Sequence, residues 1–120
     1  MAKNYIQNGE VINFTNTGAA ILSGAVVVVG NLVGVAMTNI GTNETGAVAV
    51  DGVFTLPKAT AAVIAVGEKV LWDVSAGKFD AKSATPATGD ISNACAAWEA
   101  AGAGATSVKV RLNVGMGVVA

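Results

Sequence analysis

The chain has 120 residues, enough for one domain, and its 52% hydrophobic content includes only 5% aromatics, so the core must be built from Val, Ala, Ile and Leu. Charged side chains make up 12% and the net charge is -1; with no basic run or Lys/Arg stripe, this balance argues against nucleic acid as a partner. The absence of His and the single Cys95 exclude an intrachain disulfide and a multi-Cys zinc site, and remove the commonest metal ligand and general base.

Residues 1–10 are polar and lack a signal peptide's apolar core. The apolar run from Ile21 to Val29 is broken by Ser23 and Gly24 and is too short to span a bilayer. The expectation is a protein made in the cytoplasm, with no membrane partner. A surface so poor in charge belongs either to a small apolar β-domain or to a protein largely covered by partners.

In chain order, residues 1–18 read as a polar arm leading into a first strand, in which Ile12 and Phe14 alternate with Val11, Asn13 and Thr15. Residues 19–120 read as a single β domain. Asn16-Thr17-Gly18 is turn chemistry. Val26 to Val29 is a β-branched run, Gly30-Asn31 breaks it, and Leu32 to Met37 returns, which predicts a hairpin. A polar loop, residues 39–46, then feeds the stretch from Gly46 to Lys58. There Val48, Val50, Phe54 and Leu56 share one parity, which predicts one long central strand, bent or bulged at Gly52 and ended by Pro57.

The Ala-rich segment Ala59 to Ala65 leaves its structure open, one or two helical turns being one option. Gly67-Glu68 opens a strand with Val70, Trp72 and Val74 on one face, and Phe79 begins a short return strand. Residues 84–90 read as loop. Ile91 to Ala101 admits either a helix capped by Asp90 or a strand. A faint internal repeat decides for the strand: Leu32 to Ala36, a loop, and Gly46 to Val50 are echoed about 60 residues later by Ile91 to Ala96, a loop, and Val108 to Val110. Val108 to Val114 alternates without a fault and predicts the last strand, after which Gly115-Met116-Gly117 loosens the tail. The expected fold is all-β, a small barrel or sandwich of two related β-units with an extended N-terminal arm and little helix.

No motif carries chemistry. The P-loop spacing is absent, and Gly115-Met116-Gly117 cannot open a dinucleotide-binding helix this close to the last residue. The carboxylates fall mostly in loops and turns, and no pair is set apart by spacing. Cys95 sits in an apolar segment with no His to activate it, so it reads as buried and inert. Trp72 and Trp98 supply core area or an inter-subunit contact, or stack on a sugar. No catalytic, metal or cofactor-binding residue is assigned, and no enzyme is expected.

Gly52-Val53-Phe54-Thr55-Leu56-Pro57-Lys58, then Gly67-Glu68-Lys69-Val70-Leu71-Trp72-Asp73, then Gly77-Lys78-Phe79, in that order and spacing, resembles the bacteriophage capsid cement family. The opening Met1 to Gln7 and the closing Val108 to Leu112 fit the same resemblance. It implies a β-rich head-decoration protein, commonly a homotrimer, that binds the outside of a phage head and clamps neighbouring major capsid protein subunits. The virion exterior is then the implied location. On this reading the contact residues are Lys3, Asn4, Tyr5, Ile6, Gln7, Ile12 and Phe14, since a polar arm with two apolar side chains suits strand addition to an edge. The alternative is a trimeric β-rich receptor- or glycan-binding module, which predicts an exposed Trp72 or Trp98.

Overall fold

The computed structural model describes residues 3, 4 and 7–120, and every regular element among them is a β-strand. In chain order these are β1 (Val11–Thr15), β2 (Val26–Val29), β3 (Leu32–Ala36), β4 (Thr45–Ala49), β5 (Val53–Pro57), β6 (Lys69–Asp73), β7 (Lys78–Asp80), β8 (Ile91–Ala97), β9 (Ser107–Arg111) and β10 (Val118–Val119). They form a four-stranded sheet in the order β1-β4-β3-β2 and a six-stranded sheet in the order β5-β9-β8-β6-β7, with β10 beside β8. The all-β, sandwich-like architecture is the one expected.

The same chain path is traced twice. β1 pairs β4 from Val11↔Ala49 to Thr15↔Thr45, and β5 pairs β9 from Val53↔Arg111 to Pro57↔Ser107. Ile21 bridges Ile40 in the first unit, and Ile64 bridges Ala101 in the second. Gly24 N donates to Ala36 O at 2.8 Å, and Gly67 N donates to Ala97 O at 2.7 Å. Both glycines sit at positive φ, 89° and 81°, where a Cβ would be strained. The buried polar side chains repeat as well. Asn16, just after β1, donates from Nδ2 to Ala19 O (2.8 Å) and Ile40 O (3.1 Å). Lys58, just after β5, is fully buried and donates from Nζ to Ala59 O (2.8 Å) and Ala105 O (3.3 Å). In each unit a buried donor serves two loop carbonyls.

The largest difference between the units is one inserted strand. β2 turns straight into β3 through Gly30-Asn31. β6 instead turns into β7, which lies on its outer edge with Leu71↔Asp80, Trp72↔Phe79 and Asp73↔Lys78 paired. The turn is organised by Asp73, whose Oδ1 accepts from Ala76 N (3.1 Å), Ser75 Oγ (2.9 Å) and Ser75 N (3.1 Å). These bonds, the one from Ala76 first, hold the Asp73 carboxyl below its ordinary pKa of 3.8. A parallel bridge between Lys58 and Phe79, with Ala59 N donating to Phe79 O at 2.8 Å, then joins β7 to the end of β5.

Two clusters fill the interior. The larger is built on the second sheet, and Val33 and Val35 of β3 reach into it, with Val26 and Val28 of β2 against its flank. Trp72 and Phe79 meet there edge-to-face at 4.9 Å between ring centroids. The smaller cluster, Val27, Ala36, Ile40 and Val48, lies on the opposite face of the β2–β3 hairpin. That hairpin is therefore apolar on both faces, which is why its residues run uninterrupted rather than alternating.

Several expectations are corrected. The stretch from Gly46 to Lys58 is two strands in two sheets: the chain leaves β4 at Ala49, bends through Gly52 at φ 107°, and enters β5 at Val53. The parity continues across the bend, which made two strands read as one. Ala59 to Ala65 is not helical; Ala62 and Ile64 are buried, and the segment is held by the Ile64–Ala101 bridge. The last long strand stops at Arg111, because Asn113 turns to φ 53°, and the tail forms β10. Val74 does not share a buried face with Val70 and Trp72: it is exposed in the turn, whereas Leu71 is buried. Ile91 to Ala97 is the strand that the repeat predicted.

Candidate functional site

The described members of the predicted contact set divide into two groups. Lys3, Asn4 and Gln7 are exposed, and Gln7 folds back so that Nε2 donates to Val11 O at 2.8 Å. Tyr5 and Ile6 lie outside the described residues. Ile12 and Phe14 come together on one face of β1, half-buried against the smaller cluster. β1 is an edge strand whose one strand partner among the described residues is β4.

The duplication also places one apolar side chain of each unit on the surface at a matching position, Met37 and Trp98. Met37 N donates to Ala47 O at the end of β3, and Trp98 N donates to Lys109 O at the end of β8. Both side chains are half in solvent, 51% for Met37 and 50% for Trp98. The turns that precede β2 and β6 add Leu22, 69% exposed, and Val66, 67% exposed, one residue out of register because Leu22 matches Ala65. The bonds from Gly24 to Ala36 and from Gly67 to Ala97 hold each turn beside the adjoining Met37 or Trp98. Each unit thus presents an apolar corner made from a turn and a strand end. Sequence reasoning passed over Leu22, and it matched Leu32 to Met37 with Ile91 to Trp98 without reading Met37 as a surface side chain.

Trp98 is further shaped by Arg111, whose Cζ lies 5.4 Å from the ring centroid. Lys109 Nζ meets Glu99 Oε2 at 2.9 Å nearby, an exposed pair of small energetic weight. Trp72, by contrast, is a core residue, so only one of the two tryptophans is available at the surface.

Reactive groups do not converge on either corner. Cys95 is buried, and removal from water pushes its thiol up to about 11. Among the described residues, no three Cys, Asp or Glu side chains gather in a metal-holding arrangement. Asp90, which the sequence placed among solvated loop carboxylates, is buried and accepts from Val74 N (3.1 Å) and Ala87 N (2.9 Å). Its carboxylate closes the loop between β7 and β8. What the surface offers is apolar area and strand edges, which suits protein contact.

No curated protein matches the chain. The model of the phage cement protein family matches residues 6–112, from the arm through the last residues of the second unit. With that span matched, the chain belongs to the phage cement protein family and has a structural role on the phage capsid.

Proposed function

We propose that the protein binds the outer surface of a phage head as a homotrimer and cements neighbouring major capsid protein subunits, with residues 1–14 forming part of the contact. The carrying observation is the pair of apolar corners, Leu22 with Met37 and Val66 with Trp98, on a chain with only 12% charged residues. Two like surfaces on one polypeptide suit a protein that straddles two subunits, because burying both gives an avidity that one corner alone does not. Residues 1–18 act as the arm and first strand, and residues 19–120 as the body that holds the corners in place. Mixing purified protein with undecorated heads, followed by sedimentation and heating, tests this reading. Wild-type protein should co-sediment and raise the temperature at which heads release DNA. Deletion of residues 1–8 should abolish binding and leave a folded oligomer, and unchanged occupancy of heads by the deletion variant would remove the arm from the contact.

Exposed Trp98 supports a second reading, a receptor- or glycan-binding virion component. Its test is quenching of tryptophan fluorescence by oligosaccharides in the absence of heads.

A further inference from the structure

The two units match element for element until β7, and the mismatch identifies an unfilled strand position. In the β2–β3 hairpin, Ala36 N donates to Ala25 O, and Val27 and Val29 continue on the same side toward β3. By antiparallel alternation, the amides of Val26 and Val28 point the other way, to the side where β2 has no neighbour. In the second unit the counterpart of Val28 is Leu71, and Leu71 is paired with Asp80 of β7. Among the described residues, one unit has a strand on this edge and the other has none.

Burial records the same difference. The second-unit counterparts of Phe14 and Val29 are Leu56 and Trp72, 3% and 7% exposed in the unit that contains β7. Phe14 and Val29 themselves are only half-buried, as are Ile12 and Ile21 around the same cluster. The β2 edge also carries none of the usual blocks: it has no Pro, no charge and no bulge, only four valines.

We infer that the β2 edge of the first sheet takes up an extended strand of a capsid polypeptide, seated as β7 is seated on β6. This rests on the capsid-binding reading above. β7 shows what such an occupant needs: one large apolar side chain, like the buried Phe79, between polar residues such as Lys78 and Asp80. Among the described residues, neither β2 nor β1 of a second copy supplies that pattern. β2 is all valine, and Phe14 of β1 is turned into its own cluster. A foreign strand brings both the backbone partners for Val28 and the side chain that covers Phe14 and Val29.

Amide hydrogen exchange, read residue by residue on full-length protein free and bound to heads, tests the inference. In the free protein Val28 should exchange fast while Val27 and Val29 are slow, and on heads Val28 should slow by at least about 100-fold. Binding to heads with Val28 still fast would overturn the strand site while leaving the capsid-binding reading intact. Failure to bind heads at all would overturn both. Slowing of Val28 when free protein is merely concentrated would reassign the edge to a second copy and so overturn the capsid occupant. As a second measurement, Val28→Pro removes the outward N–H and leaves the bonds to β3, and it should weaken head binding at least tenfold. If that variant fails to fold, the exchange experiment still decides.

Discussion

The Asn113 side chain pairs with the backbone of Val33 as a neighbouring strand would. Oδ1 accepts from Val33 N at 3.0 Å while Nδ2 donates to Val33 O at 2.8 Å, and the same Nδ2 donates to Val50 O at 2.7 Å. β3 pairs β4 at Val35 and Ala36, and β4 ends at Ala49, so one amide from the second unit continues the ladder where the first unit runs out. Its left-handed backbone, φ 53°, is what aims it there.

Asn113→Ala should therefore lose three hydrogen bonds and strain the backbone, costing about 2–4 kcal/mol in urea unfolding. Asn113→Gly keeps the favoured φ and should be milder by about 1 kcal/mol. Wild-type stability in the Gly variant would mean that the bonds between units contribute nothing.

Lys58 and Asn16 hold matching loops, so removing either donor takes a side-chain hydrogen bond from two loop carbonyls. Lys58→Met keeps most of the side-chain volume and leaves Ala59 O and Ala105 O without their side-chain donor. A loss of about 2–4 kcal/mol is expected, and about 2 kcal/mol for Asn16→Ala. Thermal melts of the two variants and of their double mutant check this, with near-additive losses expected because the loops share no bonds.

Gly34 lies where β2 and β4 flank β3, and a Cβ built there would strike Val48 Cγ1 and come within 3.0 Å of Ala49 O. Gly34→Ala should cost at least about 2 kcal/mol. A Tm within a degree of wild type would show that the sheet can open at this point.

Cys95 should resist thiol reagents in the native protein at pH 8 and react only as fast as the chain unfolds. Its folded pKa of about 11 lies above the ordinary 9.0, so between those values the unfolded chain has released a proton that the folded chain retains. The unfolded state then binds fewer protons, and stability falls as pH rises from about 9 to about 11. Cys95→Ala should flatten that slope, which urea titrations at pH 8, 9.5 and 10.5 would measure.

Met37→Ser combined with Trp98→Ser should reduce head occupancy by more than about tenfold with little change in Tm, because both side chains are already half in solvent. Equal occupancy with wild type would move the contact away from the corners.

Much of the architecture was legible because strands with one buried face leave a two-residue period, as in β1 and β9, and because Gly24 and Gly67 mark the same turn twice. What stayed hidden has a common cause. A sheet change at Gly52 preserves parity, the burial of Leu71 on the second face of β6 leaves no mark in the alternation, and Asn113 acts through a side chain standing in for backbone. Of the candidate site, Ile12 and Phe14 were placed by pattern alone, whereas Leu22 and Met37 became visible only when the duplicated turns were seen together.

The position of the β2–β3 hairpin between two apolar clusters sets a timetable for folding. The first unit can close its ladder once residue 49 has been synthesised, yet Val33 and Val35 face a cluster made of residues from Leu56 to Leu112. Until those residues emerge, the hairpin has a valine face with nothing against it, and contacts this distant in sequence form slowly. A nascent chain halted near Val50 should therefore be sticky and protease-sensitive, and the first half acquires its native form only as the second half is completed.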